Sequence, residues 1–131
     1  MRIAFRAVQG SFEDDGETLV AGVATGDDCF DDEGSYITFQ RGADSARSLE
    51  DWEEDGLYFE YKDQLYGGYG LVDACRLGRD RLAIDLATPM SELENVVGFD
   101  VELAINDESY ESLRDGLLRI IEGTRARLMV E

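Results

Sequence analysis

FDVELAINDESYESLRDGLLRIIEG, from Phe99 to Gly123, decides the fold, because the period of its apolar residues changes partway along. Phe99, Val101, Leu103 and Ile105 fall at every second position, with Asp100, Glu102 and Ala104 between them; this is a half-buried strand. Tyr110, Leu113, Leu117, Ile120 and Ile121 then follow the 3.6-residue spacing of one helix face. Asp107 is placed to cap that helix and Gly123 to stop it. A helix with a single apolar stripe must lay it on another apolar surface. The rest of the chain offers strands, so the expected fold is α+β. It is an antiparallel β-sheet of about six or seven strands, with the C-terminal amphipathic helix packed on one face.

Working outward, the other strands read by alternation. Ile3, Phe5 and Ala7 share one face of a first strand and Arg2 and Arg6 the other. Asp14-Asp15-Gly16 is a turn signal, followed by a small-residue strand from Leu19 to Ala24. Tyr36 to Gln40 places Ile37 and Phe39 inward, and Leu57 to Lys62 does the same with Leu57, Phe59 and Tyr61. Residues 42–56 are polar apart from Trp52 and read as a loop or a short irregular helix. Leu71 to Leu77 and Arg81 to Ala87 are arms of a hairpin joined by Gly78-Arg79-Asp80, with Leu82, Ile84 and Leu86 inward. Ser91 and Glu94 stand at capping-box spacing, which predicts a turn of helix after Pro89. With no internal repeat, linker or low-complexity segment, residues 1–131 read as a single domain.

Charge is the unusual feature of the composition. The 131 residues hold 30 acidic and 12 basic side chains, a net of −18. Residues 1–65 carry 17 acidic and 5 basic residues, and residues 66–131 carry 13 and 7. A field of that sign repels nucleic acid and anionic membrane and attracts cationic partners. Solubility or adaptation to salt would also account for it, since 11 of the 12 basic residues are arginine. No segment has the apolar core of a signal peptide or the length of a membrane span, so the expected location is the cytoplasm. Two cysteines, Cys29 and Cys75, make no disulfide framework and are expected to be free thiols, Cys75 packing as a small hydrophobe.

The sequence lacks the residues that most enzyme chemistry needs. There is no histidine, which removes Ser-His-Asp and Cys-His nucleophiles and most zinc sites. A lysine-based device would rest on Lys62 alone, in a strand where an outward charge is ordinary. With 30 carboxylates in the chain, adjacency of two carries little weight. The densest runs are Asp27-Asp28-Cys29-Phe30-Asp31-Asp32-Glu33 and Glu50-Asp51-Trp52-Glu53-Glu54-Asp55, and neither has the ligand order of a calcium loop. No cofactor, no metal and no catalytic residue is expected. What remains is a surface. An apolar anchor among charges is how many protein interfaces are built, and Trp52 with Glu50, Asp51, Glu53 and Glu54 has that character, as does Phe30 with Asp27, Asp28, Asp31, Asp32 and Glu33. The alternative is that each aromatic tucks into the core and pins its loop.

The glycine cluster Leu65-Tyr66-Gly67-Gly68-Tyr69-Gly70 leads into a strand, with no lysine, serine or threonine close behind, so it reads as a turn or bulge rather than a phosphate loop. It also carries a resemblance. Tyr58-Phe59-Glu60-Tyr61, the pair Asp63-Gln64, the turn Tyr69-Gly70-Leu71-Val72 and the hairpin Leu77-Gly78-Arg79-Asp80-Arg81-Leu82 lie in that order, before the strand 99–105 and the helix 108–122. In this the chain from Tyr58 to Ile121 resembles the immunity protein 10 family of bacterial polymorphic toxin systems, departing at Leu71, where the family usually has a second glycine. The resemblance implies an α+β protein that binds a cognate toxin domain and blocks it, and it brings no catalytic residues. The acidity fits a basic target such as a nuclease toxin. A domain binding a small ligand or divalent cation through its acidic loops is the alternative, and a weak homodimer joined at an exposed sheet edge is a third.

Overall fold

In the computed structural model, which describes residues 1–26, 34–43 and 56–131, ten strands and one long helix surround a continuous apolar core. The strands are β1 (Arg2–Ala7), β2 (Gln9–Asp14), β3 (Thr18–Ala24), β4 (Tyr36–Gly42), β5 (Tyr58–Tyr61), β6 (Asp63–Tyr69), β7 (Val72–Gly78), β8 (Arg81–Met90), β9 (Val96–Leu103) and β10 (Arg127–Val130). The helix α1 spans Asp107–Ile121. The α+β class is as expected, but the single antiparallel sheet of six or seven strands is not. The strands form two five-stranded sheets, ordered β1-β9-β8-β7-β10 and β2-β3-β4-β5-β6. The first is mixed, because β1 runs parallel to β9 and β10 parallel to β7. Only the second is antiparallel throughout.

Two sheets arise because one helix stripe is too narrow to cover so many inward apolar faces. Leu82, Ile84, Phe99 and Val101 of the first sheet need apolar partners, as do Ile37, Phe39 and Phe59 of the second. They find one another across the interior. Phe99 meets Phe59 at 5.6 Å and Tyr61 at 4.8 Å between ring centroids, and Phe39 meets Phe59 edge-on at 5.5 Å. Each buried phenyl ring contributes about 2–3 kcal/mol by removal from water. The helix packs on β2, β3 and β4 and reaches β10, with Leu113, Leu117, Ile120 and Ile121 buried. Gly116 lets it approach closely, since a Cβ there would strike the Phe12 ring.

Local signals hold with small corrections. The N-cap is Asn106 rather than Asp107; its side chain accepts from the Ser109 N–H at 2.8 Å, leaving Asp107 and Glu108 to meet the helix dipole. Arg41 of β4 donates to the carbonyls of Ile120 and Glu122 at the far end. Gly123 follows with φ +81, as a stop should. At the Asp14-Asp15-Gly16 turn, the N–H of Gly16 holds the Asp14 carboxyl below its usual range, and that of Thr18 does the same for Asp15. The expected capping box is absent: Met90 sits at the N-cap of the Ser91–Leu93 turn, without a side-chain cap. Lys62 is not an outward strand residue but the tight link between β5 and β6, at φ +63. The glycine cluster is mostly strand, Gly67 and Gly68 pairing with Glu60 and Phe59, and the turn waits until Gly70 at φ +69.

Candidate functional site

All the sequence-predicted contacts lie outside the described residues: Trp52, Glu50, Asp51, Glu53 and Glu54 in one segment, Asp27, Asp28, Phe30, Asp31, Asp32 and Glu33 in the other. The described residues do locate where each segment leaves and rejoins the fold. Residues 27–33 connect β3 to β4, and the base is closed by Thr25 and Ser35, whose backbone and hydroxyl groups bond at 2.9 to 3.2 Å. Residues 44–55 connect β4 to β5 from the other end of β4. The seven residues of β4 therefore set the two bases about 20 Å apart.

Cys75 is fully buried, and burial pushes its thiol up to about 12, so it carries no nucleophile at neutral pH. Its packing as a small hydrophobe is as the sequence indicated. No group of three or more metal-ligating side chains occurs among the described residues. None of the described helices is long and apolar enough to cross a membrane.

Two surfaces stand out instead, the outward faces of the two sheets. On the first sheet Arg2 is held by five bonds, to Asp85 at 2.7 Å, to both oxygens of Asp100 at 3.0 and 3.2 Å, and to the carbonyls of Ile84 and Phe99 at 3.2 Å. Arg81 joins Asp100 at 3.1 Å, Arg76 approaches Asp85 at 3.7 Å, and Arg6 faces Glu102 at 3.4 Å. The Arg2 side chain holds the Asp100 carboxyl below its usual range, chiefly by hydrogen bonding. Gly98 makes room for the lattice, because a Cβ there would fall on the Arg2 guanidinium.

The second sheet presents a different surface. Its outward rows, set by strand register, are Gln9-Ala24-Tyr36, Ser11-Gly22-Thr38-Glu60-Gly67 and Glu13-Val20-Gln40-Tyr58-Tyr69. At their centre the Glu60 carboxylate accepts the Tyr36 hydroxyl at 2.5 Å and the Tyr58 hydroxyl at 2.7 Å. Partial burial, and then the bond to Glu60, raise both phenols, Tyr58 up to about 12 and Tyr36 further still. Tyr69 stands against Tyr58 at 5.3 Å. Gly67 leaves room here, since a Cβ would lie 2.7 Å from the Tyr58 hydroxyl oxygen and displace it. Beside this cluster runs a groove of about 310 Å³ with Gly22 and Thr38 in its lining.

Sequence reasoning missed this cluster. The alternation that sent Ile37, Phe39 and Phe59 inward sends Tyr36, Thr38, Tyr58 and Glu60 outward together, but only the β4–β5 register brings them side by side.

No curated protein and no solved structure matches the chain. The likeness read between Tyr58 and Ile121 extends well into the N-terminal half, where β1 to β4 supply part of the outward surfaces just described. The model of the family described as Immunity protein 10 matches residues 4–111, most of the chain, and the protein belongs to that family.

Proposed function

We propose that this protein is a non-enzymatic cytoplasmic inhibitor that binds a cognate toxin domain one-to-one and neutralises it by occupying the surface the toxin works with. The family match over residues 4–111 carries the reading. The charge sharpens it. A chain of net −18 is drawn to a cationic surface, and a toxin that acts on nucleic acid must present one. A basic nuclease-type toxin is therefore the target class that fits, with the acidic surface filling a cleft built for phosphates.

The test is calorimetric titration of the protein with the toxin domain encoded beside its gene, at low and high salt. Tight one-to-one binding that weakens with salt is the expected result. Tight binding indifferent to salt would keep the immunity role and remove the basic-target reading. No binding at either salt would overturn the role itself.

A further inference from the structure

We propose that the toxin is seated on the outward face of the second sheet, with an arginine or lysine of the toxin bound at Glu60 in the groove beside Tyr36 and Tyr58. This rests on the immunity reading and adds the surface and its central contact.

The first argument is where charge is missing. Charged residues make up 32% of the chain, yet the thirteen outward residues in the three rows include only Glu13, on an edge strand, and Glu60, with Lys62 and Asp63 bordering the face beyond Tyr36. Interface centres lose charge and gain tyrosine relative to ordinary surface, and Tyr36, Tyr58 and Tyr69 occupy this face. Tyrosine supplies contact area at small entropic cost, and here two hydroxyls are already tied to Glu60. The second argument is the state of that carboxylate. Its two phenol partners are neutral, so the bonds to them orient its charge without cancelling it. Two donors also leave acceptor capacity on a carboxylate, which takes about four hydrogen bonds. On the first sheet, by contrast, Asp85 and Asp100 already face arginines of this chain.

Shape and surroundings agree. Gly22 and Gly67 stand in the same row as Thr38 and Glu60, so the centre of the face is lined by small groups and remains open. Four strand spacings by about six residues give a face of about 400 Å², half of the ~800 Å² that a standard interface takes from each partner. A toxin surface with one deep cation at its centre is the complement of that arrangement.

The experiment uses the toxin domain encoded beside the gene and three variants of the full chain. Thr38→Arg places a cation next to Glu60 and fills the groove; Glu60→Gln removes the charge without changing shape; Arg6→Glu alters the first sheet's outward face. Melting temperature and near-ultraviolet circular dichroism check that each is folded. Thr38→Arg is expected to weaken binding by about 100-fold or more, Glu60→Gln by about 10-fold, and Arg6→Glu by less than about 3-fold. Should Thr38→Arg misfold, the isosteric Glu60→Gln decides. If the wild type binds and the second-sheet variants bind as well as it does, the face is wrong and the immunity role stands. Loss of binding in Arg6→Glu alone would move the interface to the first sheet. A wild type that does not bind would overturn the immunity role, and this proposal with it.

Discussion

The two outward sheet faces have similar size and opposite chemistry. On the first sheet the rows Arg2-Gly98-Asp85-Ala74-Arg127, Ala4-Asp100-Ala83-Arg76-Met129 and Arg6-Glu102-Arg81-Gly78 hold eight charged residues in fourteen, five of them arginine. Asp73, paired with Arg127 at 3.3 Å, and Glu131, whose carboxylate lies against Gly78, bring further acids to these arginines. On the second sheet two residues in thirteen are charged. The difference lies in what each charge is doing. Arg2 and Asp100 complete one another, so the first face is finished by its own residues and holds β1 to β9 and β8. Glu60 is held by neutral phenols and keeps its charge outward. One face is knit together by its own ion pairs, and the other centres on a carboxylate held by two phenols.

Arg2→Ala tests that division hardest. It removes five hydrogen bonds and leaves Asp85 and Asp100 with fewer partners at sites only 37% and 27% exposed. Solvent access discounts the value of a fully buried pair, and a loss of about 2–3 kcal/mol in unfolding free energy is expected, measured by denaturant titration. Toxin affinity should not change. A loss below about 0.5 kcal/mol would place the lattice among surface ion pairs of no consequence, and the contrast between the faces would collapse.

Alternation revealed the inward faces of β1, β3, β4, β5, β7, β8 and β9, most clearly in β3 and β5, while in β7, β8 and β9 the small residues Ala74, Ala83 and Gly98 are buried out of phase. It could not reveal partners. Nothing local places β1 beside β9, nearly a hundred positions away, and the two-sheet architecture follows from that pairing. The strands it missed are the poorly patterned ones. β2 has one large apolar residue, Phe12, in six; β6 carries Gly67 and Gly68; β10 is an edge strand whose inward residue, Leu128, is only partly buried. The Glu60 cluster was invisible for the same reason as the sheets: Tyr36 and Glu60 are 24 positions apart and become neighbours only through register. Trp52 and Phe30, the anchors that composition does single out, stay outside the described residues.

The faces also differ in which end of the pH scale undoes them. Asp100 has a folded pKa below its usual value, so the stability it confers is present above the ordinary carboxylate pKa and is lost as pH falls through the folded one. Tyr58 has a folded pKa raised from 10.0 to about 12. Its contribution is complete below pH 10 and disappears as pH rises toward 12. Alkaline titration followed by phenolate absorbance should show late-ionising tyrosines in the wild type. Tyr58→Phe should remove one of them, and Glu60→Gln should lower the midpoint of those that remain. Acid unfolding of Tyr58→Phe should follow the wild type, while Asp100→Asn should shift it. A wild type in which all phenols ionise together near pH 10 would mean that Glu60 does not hold its tyrosines, and the second face would lose its preorganised centre.

The smallest effect is the most discriminating within the first face. Arg6 and Glu102 form a pair at 3.4 Å in the same sheet as Arg2, but their side chains are 66% and 68% exposed. Holding two long side chains together in water gains little after entropy and screening, so Arg6→Ala should change unfolding free energy by less than about 0.5 kcal/mol. Set against Arg2→Ala, four residues away on the same side of β1, this separates charge from burial as the source of stability. If the two substitutions cost the same, the lattice acts through its summed field. If only Arg2→Ala costs, the lattice acts through the hydrogen bonds that one guanidinium makes across three strands.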